Sequence, residues 1–333
     1  MPAATARHGL AALGLLLLVA WTGRPAAAAE YTFAVKPAPE GLKEAQFWLW
    51  VPDGLKADER VRGILCASKY EAGTGLYTDP QWRAAAERLK AACLLYQLDR
   101  PEAELRLSKD KAAAEAILAA LKHFANEAKR PELAHAGLVL TGLSQSGWQA
   151  VAFANHIPDR VIAAIPYHEA TPNRAADEAE KSAALGVPQL HVMGGNCSLT
   201  PAIHTWIPKA RKGGALWSSC VQPGVPHHKM GDQEFILAWL EAVFNLRVPK
   251  DTPADKPYAL SPLKEQDGWL GTLKLAHADI PNQPRLNAVR TTVTSAEVWR
   301  FADFKGDKAE AVWLPTEAVA KAWLAYSKQD GRP

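Results

Sequence analysis

Short apolar runs alternate with helix-forming segments through most of this chain, and the alternation limits its fold more than any other feature. Runs that are apolar throughout are typical of strands covered on both faces of a sheet. They lie at 46–51, 62–68, 93–98, 136–143, 161–167, 188–193 and 215–222. Helical patterns lie between them, at 80–89, 109–129 and 145–155, and after the last of them, at 232–246. Strands separated by helices of this length build a mostly parallel sheet with right-handed crossovers, so we predict an α/β fold.

The first 29 residues have the pattern of a secretory signal peptide. A basic segment with Arg7 precedes an apolar stretch at 10–21, shorter than the roughly 20 residues that a membrane-spanning helix needs. The small residues Ala27 and Ala29 then offer a cleavage site. We therefore expect a secreted or periplasmic protein with no membrane attachment after cleavage, and an uncleaved anchor is the alternative.

Beyond the leader the chain is nearly neutral. The whole sequence has a formal net charge of +3, and the leader holds two arginines and no acidic residue, so the rest carries +1. So small a charge argues against a nucleic-acid or polyanion partner. Near residue 250 the sequence becomes rich in proline and charge. We predict a main domain over 30–249 and a small β-rich appendage over 250–333 that ends in a helix.

Ser144 lies in the segment with the most specific chemical signal. The predicted strand at 136–143 runs directly into GLSQSG and then into a helix. A strand that turns sharply into a helix strains the residue at the turn, so the residues two before and two after it must be small, as Gly142 and Ser146 are. Ser144 would be a nucleophile, and the N–H of Gln145 at the helix start would donate to an oxyanion. A serine that only caps the helix is the alternative.

With this elbow and this strand–helix series, residues 45–248 resemble the α/β-hydrolase superfamily, in particular its secreted esterases and polyester depolymerases. The resemblance implies an α/β-hydrolase fold over the main domain. It also implies a general-base histidine before the last helix of that domain, where His227 and His228 lie. His227 is preferred because of its spacing after a Pro-Gly pair, and His228 is the alternative. A second oxyanion donor is implied at the backbone of Lys69 or Tyr70, in the loop after the third strand.

The acid that would orient the histidine is where the chain departs from the superfamily. Members usually place an aspartate after the penultimate core strand, whereas this chain has Gly-Gly-Asn196-Cys197 there. Glu169 follows the preceding strand, a position that some members use, and the carboxyl ends of parallel strands lie on one rim of a sheet. Asn196 is the other possibility, because an amide can orient an imidazole without supplying charge. Both interpretations stay open.

The cysteines suit an exported chain. They are four in number, and exported proteins commonly form disulfides, so we predict a disulfide between Cys197 and Cys220. Whether Cys66 and Cys93 also pair or are simply buried thiols is left open. The histidines and cysteines show no metal-binding spacing, and no glycine-rich phosphate loop follows the first strand, so we predict no metal and no cofactor.

These features predict a serine hydrolase that cleaves carboxylic esters through an acyl-enzyme on Ser144. The expected substrate is a small-molecule or polymer-linked ester. The missing aspartate motivates a different class, a binding protein that has the fold without the chemistry. A peptidase or acyltransferase using the same site is a third possibility, since fold alone does not fix function.

Overall fold

The computed structural model of the chain describes residues 29–38, 42–56, 59–70, 73–99, 110–169, 179–250, 256 and 258–328. Within these residues the chain forms eleven strands and seven α-helices. The strands are β1 Ala29–Ala34, β2 Glu44–Val51, β3 Gly63–Ser68, β4 Ala91–Asp99, β5 Gly137–Leu143, β6 Val161–Tyr167, β7 Gln189–Asn196, β8 Trp217–Pro226, β9 Trp269–Asp279, β10 Val289–Arg300 and β11 Val312–Leu314. The helices are α1 Gly73–Thr78, α2 Pro80–Leu89, α3 Asp110–Glu127, α4 Gln145–His156, α5 Thr200–Lys212, α6 Glu234–Arg247 and α7 Glu317–Ser327.

Eight strands form one central sheet in the order β1-β2-β4-β3-β5-β6-β7-β8. β2 runs antiparallel to both β1 and β4, and every other pairing in the sheet is parallel. The carboxyl ends of the parallel strands therefore meet at one rim, where open α/β sheets place their binding sites. The loops after β3, β5, β6, β7 and β8 all leave from this rim.

The middle of the sheet is apolar because both of its faces are covered. Every residue of β3, β5 and β6 is buried. The ring of Phe244 in α6 lies so close to β3 that a Cβ on Gly63 would fall 2.5 Å from it. Continuous apolar strands of this kind belong to parallel sheets sandwiched between helices, as the sequence pattern predicts.

The chain after residue 258 forms a second sheet, antiparallel and in the order β10-β9-β11, followed by α7. It packs against the main sheet through buried contacts. The indole N–H of Trp323 in α7 donates to the carbonyl of Ser219 in β8 at 2.7 Å, and Arg211 of α5 donates to the carbonyl of Ala311 at 2.8 Å. Trp323 belongs to the same hydrophobic cluster as the main sheet. Because one hydrophobic core joins the two parts, the structure draws no boundary between them, and the domain division near residue 250 stays a prediction.

The predicted fold class is confirmed, and the predicted strands and helices lie within a few residues of the observed ones. Three elements of the main domain were not predicted. β1 begins at Ala29, the last residue of the predicted signal peptide. α1 lies in 69–79, and α5 lies between the predicted strands at 188–193 and 215–222; a loop is predicted at both places. Pro208 inside α5 weakens the helical pattern there.

The predicted disulfide between Cys197 and Cys220 is wrong. Both cysteines are free, buried thiols, as are Cys66 and Cys93. Cys220 pairs in register with Val192 of β7, and Cys197 lies five residues further along that chain direction. At about 3.3 Å per residue this offset is roughly 16 Å, far beyond the Cα separation of about 4.4–6.8 Å that a disulfide spans.

The predicted signal peptide lies outside the described residues except for Ala29, the first residue of β1. Among the helices of the described ranges, none combines the length and the apolarity that crossing a bilayer requires.

Candidate active site

Ser144 stands at the turn between β5 and α4, with backbone angles that serine rarely adopts. Its φ is 55° and its ψ is −117°. Two hydrogen bonds hold it there: its N–H donates to the carbonyl of Tyr167 at 2.8 Å, and its carbonyl accepts from the N–H of Trp148 at 3.1 Å. Strain that the surroundings enforce in this way is typical of functional residues.

The small residues around Ser144 are needed for space. A Cβ on Gly142 would fall 2.4 Å from the backbone carbon and oxygen of Ser146. One on Gly147 would fall 3.0 Å from the carbonyl oxygen of Gly142. The turn that exposes Ser144 therefore brings two stretches of main chain together, which explains the glycines of the motif.

His227 lies in the loop after β8 and is the histidine that meets Ser144. Its Nε2 is 2.9 Å from the Oγ of Ser144, and its side chain is buried, whereas His228 is exposed. Burial, with a smaller contribution from the charge of His228, lowers the pKa of His227 below its usual value. The ring is therefore neutral near pH 7 and able to accept a proton from the serine.

The main chain of His227 is fixed from both sides. Its N–H donates to the Oδ1 of Asn287 at 2.9 Å, and its carbonyl accepts from the Nδ1 of His168 at 2.8 Å. His168 follows β6 with a φ of 44°, and burial lowers its pKa to about 4. His168 is thus a neutral donor that holds the backbone of His227 in the loop after β8, which we call the histidine loop, and it is not a second base at the serine.

Cys197 occupies the position beside the other ring nitrogen of His227. Its Sγ is 3.2 Å from Nδ1, and both side chains are buried. Asn196, one of the two predicted orienting groups, donates from its Nδ2 to the carbonyl of Gly224 at 3.1 Å. The structure thus brings the thiol to the histidine, and directs the neighbouring amide to the loop backbone.

Glu169, the other predicted orienting group, is paired with a different histidine. Its Oε1 is 2.6 Å from the Nδ1 of His191 in β7, and both side chains are completely buried. The ring of His191 also contacts Trp206 and Trp217, with centroids 5.3 and 4.9 Å away. Sequence reasoning missed this pair because His191 lies inside a strand, where nothing marks it as a partner.

The predicted oxyanion donors differ in whether their backbone N–H groups already have an acceptor within the protein. Gln145 begins α4, so its N–H is one of the first four in the helix, which have no acceptor within the helix. The N–H of Lys69 donates to the carbonyl of Tyr96 at 2.7 Å, which argues against that part of the prediction. Tyr70 retains a weaker contact, its N–H lying 3.4 Å from the Oγ of Ser68. Gln145 and Tyr70 are therefore the better pair.

A loop from the second sheet completes the surroundings of the site. The segment 280–288 joins β9 to β10, and we call it the hairpin loop. Its Asn287 bonds the main chain of His227. The loop also holds Ser198, the neighbour of Cys197, through three hydrogen bonds. The Oγ of Ser198 donates to the carbonyl of Arg285 at 2.8 Å and accepts from the N–H of Ala288 at 3.1 Å, and its N–H donates to the carbonyl of Leu286 at 2.9 Å. Sequence reasoning missed this role, since the segment has no local motif.

One group among the described residues has the composition of a metal site. His168, Cys197 and His227 offer ligand atoms that all lie within 4.8 Å of one another. Both nitrogens of His227 and the Nδ1 of His168 are already in contact with protein atoms. A metal ion there would have to displace the contact between Cys197 and His227, so we treat the group as part of the serine–histidine site.

Comparisons with known proteins find likeness only among solved structures. No family model matches the chain, and no curated protein matches it. A thermostable esterase has a TM-score of 0.42 and 13% identity over 58% of this chain, which spans 54% of that esterase. Fungal esterases from Rhizomucor miehei give 0.46 and 12% over 67% of this chain and 84% of theirs. FphF, a fluorophosphonate-binding serine hydrolase of Staphylococcus aureus, gives 0.44 and 10% over 66% and 97%.

The architecture itself carries the assignment of fold. The sheet order has β3 between β4 and β5, with an antiparallel β2 at one side. The strained serine follows β5, and the histidine that meets it follows β8. This chain order, with the nucleophile on a strand-to-helix elbow and the histidine last, is that of the α/β-hydrolases. The chain therefore has the α/β-hydrolase fold.

Proposed function

We propose that this protein is a serine hydrolase that cleaves carboxylic esters through an acyl-enzyme on Ser144. The observation that carries the proposal is the 2.9 Å contact between the Oγ of Ser144 and the Nε2 of His227, made by a serine on a strained elbow. A nucleophile within hydrogen-bonding reach of its base is the defining geometry of covalent catalysis by serine.

The reaction follows from these positions. The Oγ of Ser144 attacks the ester carbonyl while the Nε2 of His227 takes its proton. The negative oxygen of the tetrahedral intermediate is stabilised by the N–H groups of Gln145 and Tyr70. The intermediate collapses, and the alcohol leaves with the proton from His227. A water molecule, activated by the same ring, then releases the acid from the serine.

Two experiments on purified protein test the nucleophile. A fluorophosphonate probe should label Ser144, located by peptide mapping, and short p-nitrophenyl esters should be hydrolysed. Ser144→Ala should lose the label and lower kcat about 10⁶-fold. Ser261→Ala is the matched control, because that serine is exposed and far along the chain from the elbow. Wild-type turnover in a folded Ser144→Ala protein would refute the proposal.

A second pair of variants tests the base. His227→Ala should lose activity, whereas His228→Ala should retain it, because His228 is exposed and His227 meets the serine. The double variant of Ser144 and His227 should be about as inactive as either single variant, since residues that act as one unit are not additive. Additive losses would show that the two residues do not work together.

The alternatives give different results in the same assays. A binding protein without chemistry would stay unlabelled, because covalent capture needs an activated serine. A peptidase would be labelled but would prefer peptide anilides to esters, and an acyltransferase would give more ester than acid when an acceptor alcohol is added. We favour an ester substrate, either a small molecule or one linked to a polymer.

The proposal includes export by the leader. The exported protein should begin at Glu30, after cleavage at the alanines that precede it. Mass spectrometry of the protein from the culture medium or periplasm gives the start directly. Protein that keeps residues 1–29 and stays with the membrane would support the uncleaved anchor instead.

A further inference from the structure

The contact between Cys197 and His227 has a direction that the proton positions fix. The hydroxyl of Ser144 donates to the Nε2 of His227 when the serine is ready to attack. The neutral ring then carries its proton on Nδ1. That proton points to the Sγ of Cys197, 3.2 Å away. Sulfur is thus the acceptor that keeps the ring in the productive tautomer.

The polar groups that could compete for Nδ1 are engaged elsewhere. The Glu169 carboxylate is 2.6 Å from the ring of His191, inside the protein. The Asn196 amide donates to the carbonyl of Gly224. In serine hydrolases this position beside the histidine usually holds a carboxylate. Here the hydrogen-bond partner of Nδ1 among the described residues is the thiol of Cys197.

We propose that Cys197 is the positioning residue of the site, holding the ring of His227 through a hydrogen bond from Nδ1 to its sulfur. The inference rests on the proposed function. No covalent bond at sulfur is made or broken: the serine proton moves to Nε2 of His227 and from there to the leaving alcohol. The sulfur accepts the Nδ1–H bond throughout.

The surroundings of Cys197 suit this role in two ways. Its side chain is completely buried, so water does not compete for the Nδ1 proton. Thr200, the first residue of α5, donates its N–H to the carbonyl of Cys197 at 3.2 Å, which fixes the backbone that carries the thiol. Burial, the largest effect, raises the pKa of the thiol, so Cys197 stays neutral and its sulfur is free to accept the Nδ1 proton.

Three substitutions of Cys197 test the role. Cys197→Ala should lower kcat by about tenfold to a hundredfold with little change in KM, because the Nδ1 proton is left buried without an acceptor. Cys197→Asp should match or exceed the wild type, since a carboxylate forms the stronger charge-assisted bond. Cys197→Ser should lie between them. Cys220→Ala, a buried thiol in the middle of β8, is the control and should keep wild-type kcat.

The state of His227 gives a measurement that does not need turnover. NMR of the imidazole nitrogens should show the Nδ1–H tautomer in the wild type. In Cys197→Asp the new carboxylate should raise the pKa of His227 and move the acid limb of kcat/KM to higher pH. Cys197→Ala should show no such rise. The other titratable groups facing the ring, His168 and His228, are unchanged in all variants.

The results that would overturn the inference are specific. Wild-type kcat in folded Cys197→Ala would do so, as would a Glu169→Gln protein that loses activity while every Cys197 variant keeps it. Failure of the proposed function looks different, because Ser144 would then take no fluorophosphonate label in any variant. The NMR tautomer of His227 would still test the hydrogen bond to Cys197 in that case, because it does not depend on turnover.

Discussion

Replacing Asn287 with alanine should slow the reaction although Asn287 touches neither the serine nor the ring nitrogens. Its Oδ1 accepts the backbone N–H of His227 at 2.9 Å. It lies on the hairpin loop, which comes from the second sheet. Its loss frees one side of the histidine loop, and the 2.9 Å contact between His227 and Ser144 is then less well held.

The size of the effect follows from what the substitution leaves behind. A buried N–H deprived of its partner costs about 1–3 kcal/mol. If that cost falls on the active arrangement of the loop, kcat decreases by roughly 5- to 150-fold. The bond is only partly buried, so water reaches part of it, and we expect a decrease near the lower end, about tenfold.

Steady-state hydrolysis of a p-nitrophenyl ester measures the change, with thermal unfolding as a check that the protein is folded. Asn245→Ala is the matched control, because Asn245 is exposed on α6 and its loss should leave kcat unchanged. Asn287→Asp keeps an acceptor and should stay within a few-fold of the wild type. Unchanged kcat in Asn287→Ala, or an equal decrease in the Asn245 control, would refute the reasoning.

Gly142→Ala should abolish activity and lower the free energy of unfolding by about 3 kcal/mol, because the new Cβ would meet backbone atoms at 2.4 Å; Gly186→Ala, where nothing lies within 4 Å, should be harmless in the same denaturant titration. Glu169→Ala should lower the free energy of unfolding by about 3–5 kcal/mol, because it leaves the buried ring of His191 without its partner; a decrease below about 1 kcal/mol would contradict this. The acid limb of kcat/KM should have its midpoint below pH 6.5, because burial lowers the pKa of His227 and only the neutral ring accepts a proton; a pH–rate profile with a higher midpoint would count against His227 as the base. His168 has a pKa of about 4 in the folded protein, against 6.5 when unfolded, so the unfolded chain binds more protons below pH 6.5. The free energy of unfolding should therefore fall by roughly 3 kcal/mol between pH 6.5 and 4, and urea titrations at each pH should show a smaller fall in His168→Asn.

The parts of the structure that follow local rules could be predicted from the sequence. The apolar runs are strands because the sheet is covered on both faces. The elbow at Ser144 could be predicted because a sharp strand-to-helix turn needs small neighbours, and this need is visible within six residues. His227 was preferred over His228 from its spacing, and the structure places His227 at the serine.

The parts that depend on distant contacts could not be predicted. The pairing of Glu169 with His191 requires knowing that β6 and β7 are neighbours and which way each side chain faces. The N–H of Lys69 is taken by a carbonyl of β4, which follows from strand register alone. The place of Cys197 beside His227 has no signal in the sequence, because a cysteine in an exported chain predicts a disulfide before it predicts a hydrogen-bond acceptor.

The hairpin loop also decides when the site can exist. Asn287 lies 60 positions after His227, whose main chain it holds. A chain made from its N-terminus therefore carries Ser144 and His227 long before it carries the segment that fixes them. Contacts of such long sequence separation also form late, because closing a large loop costs entropy first. A chain that does not yet include the hairpin loop thus lacks the contact that fixes the serine–histidine pair.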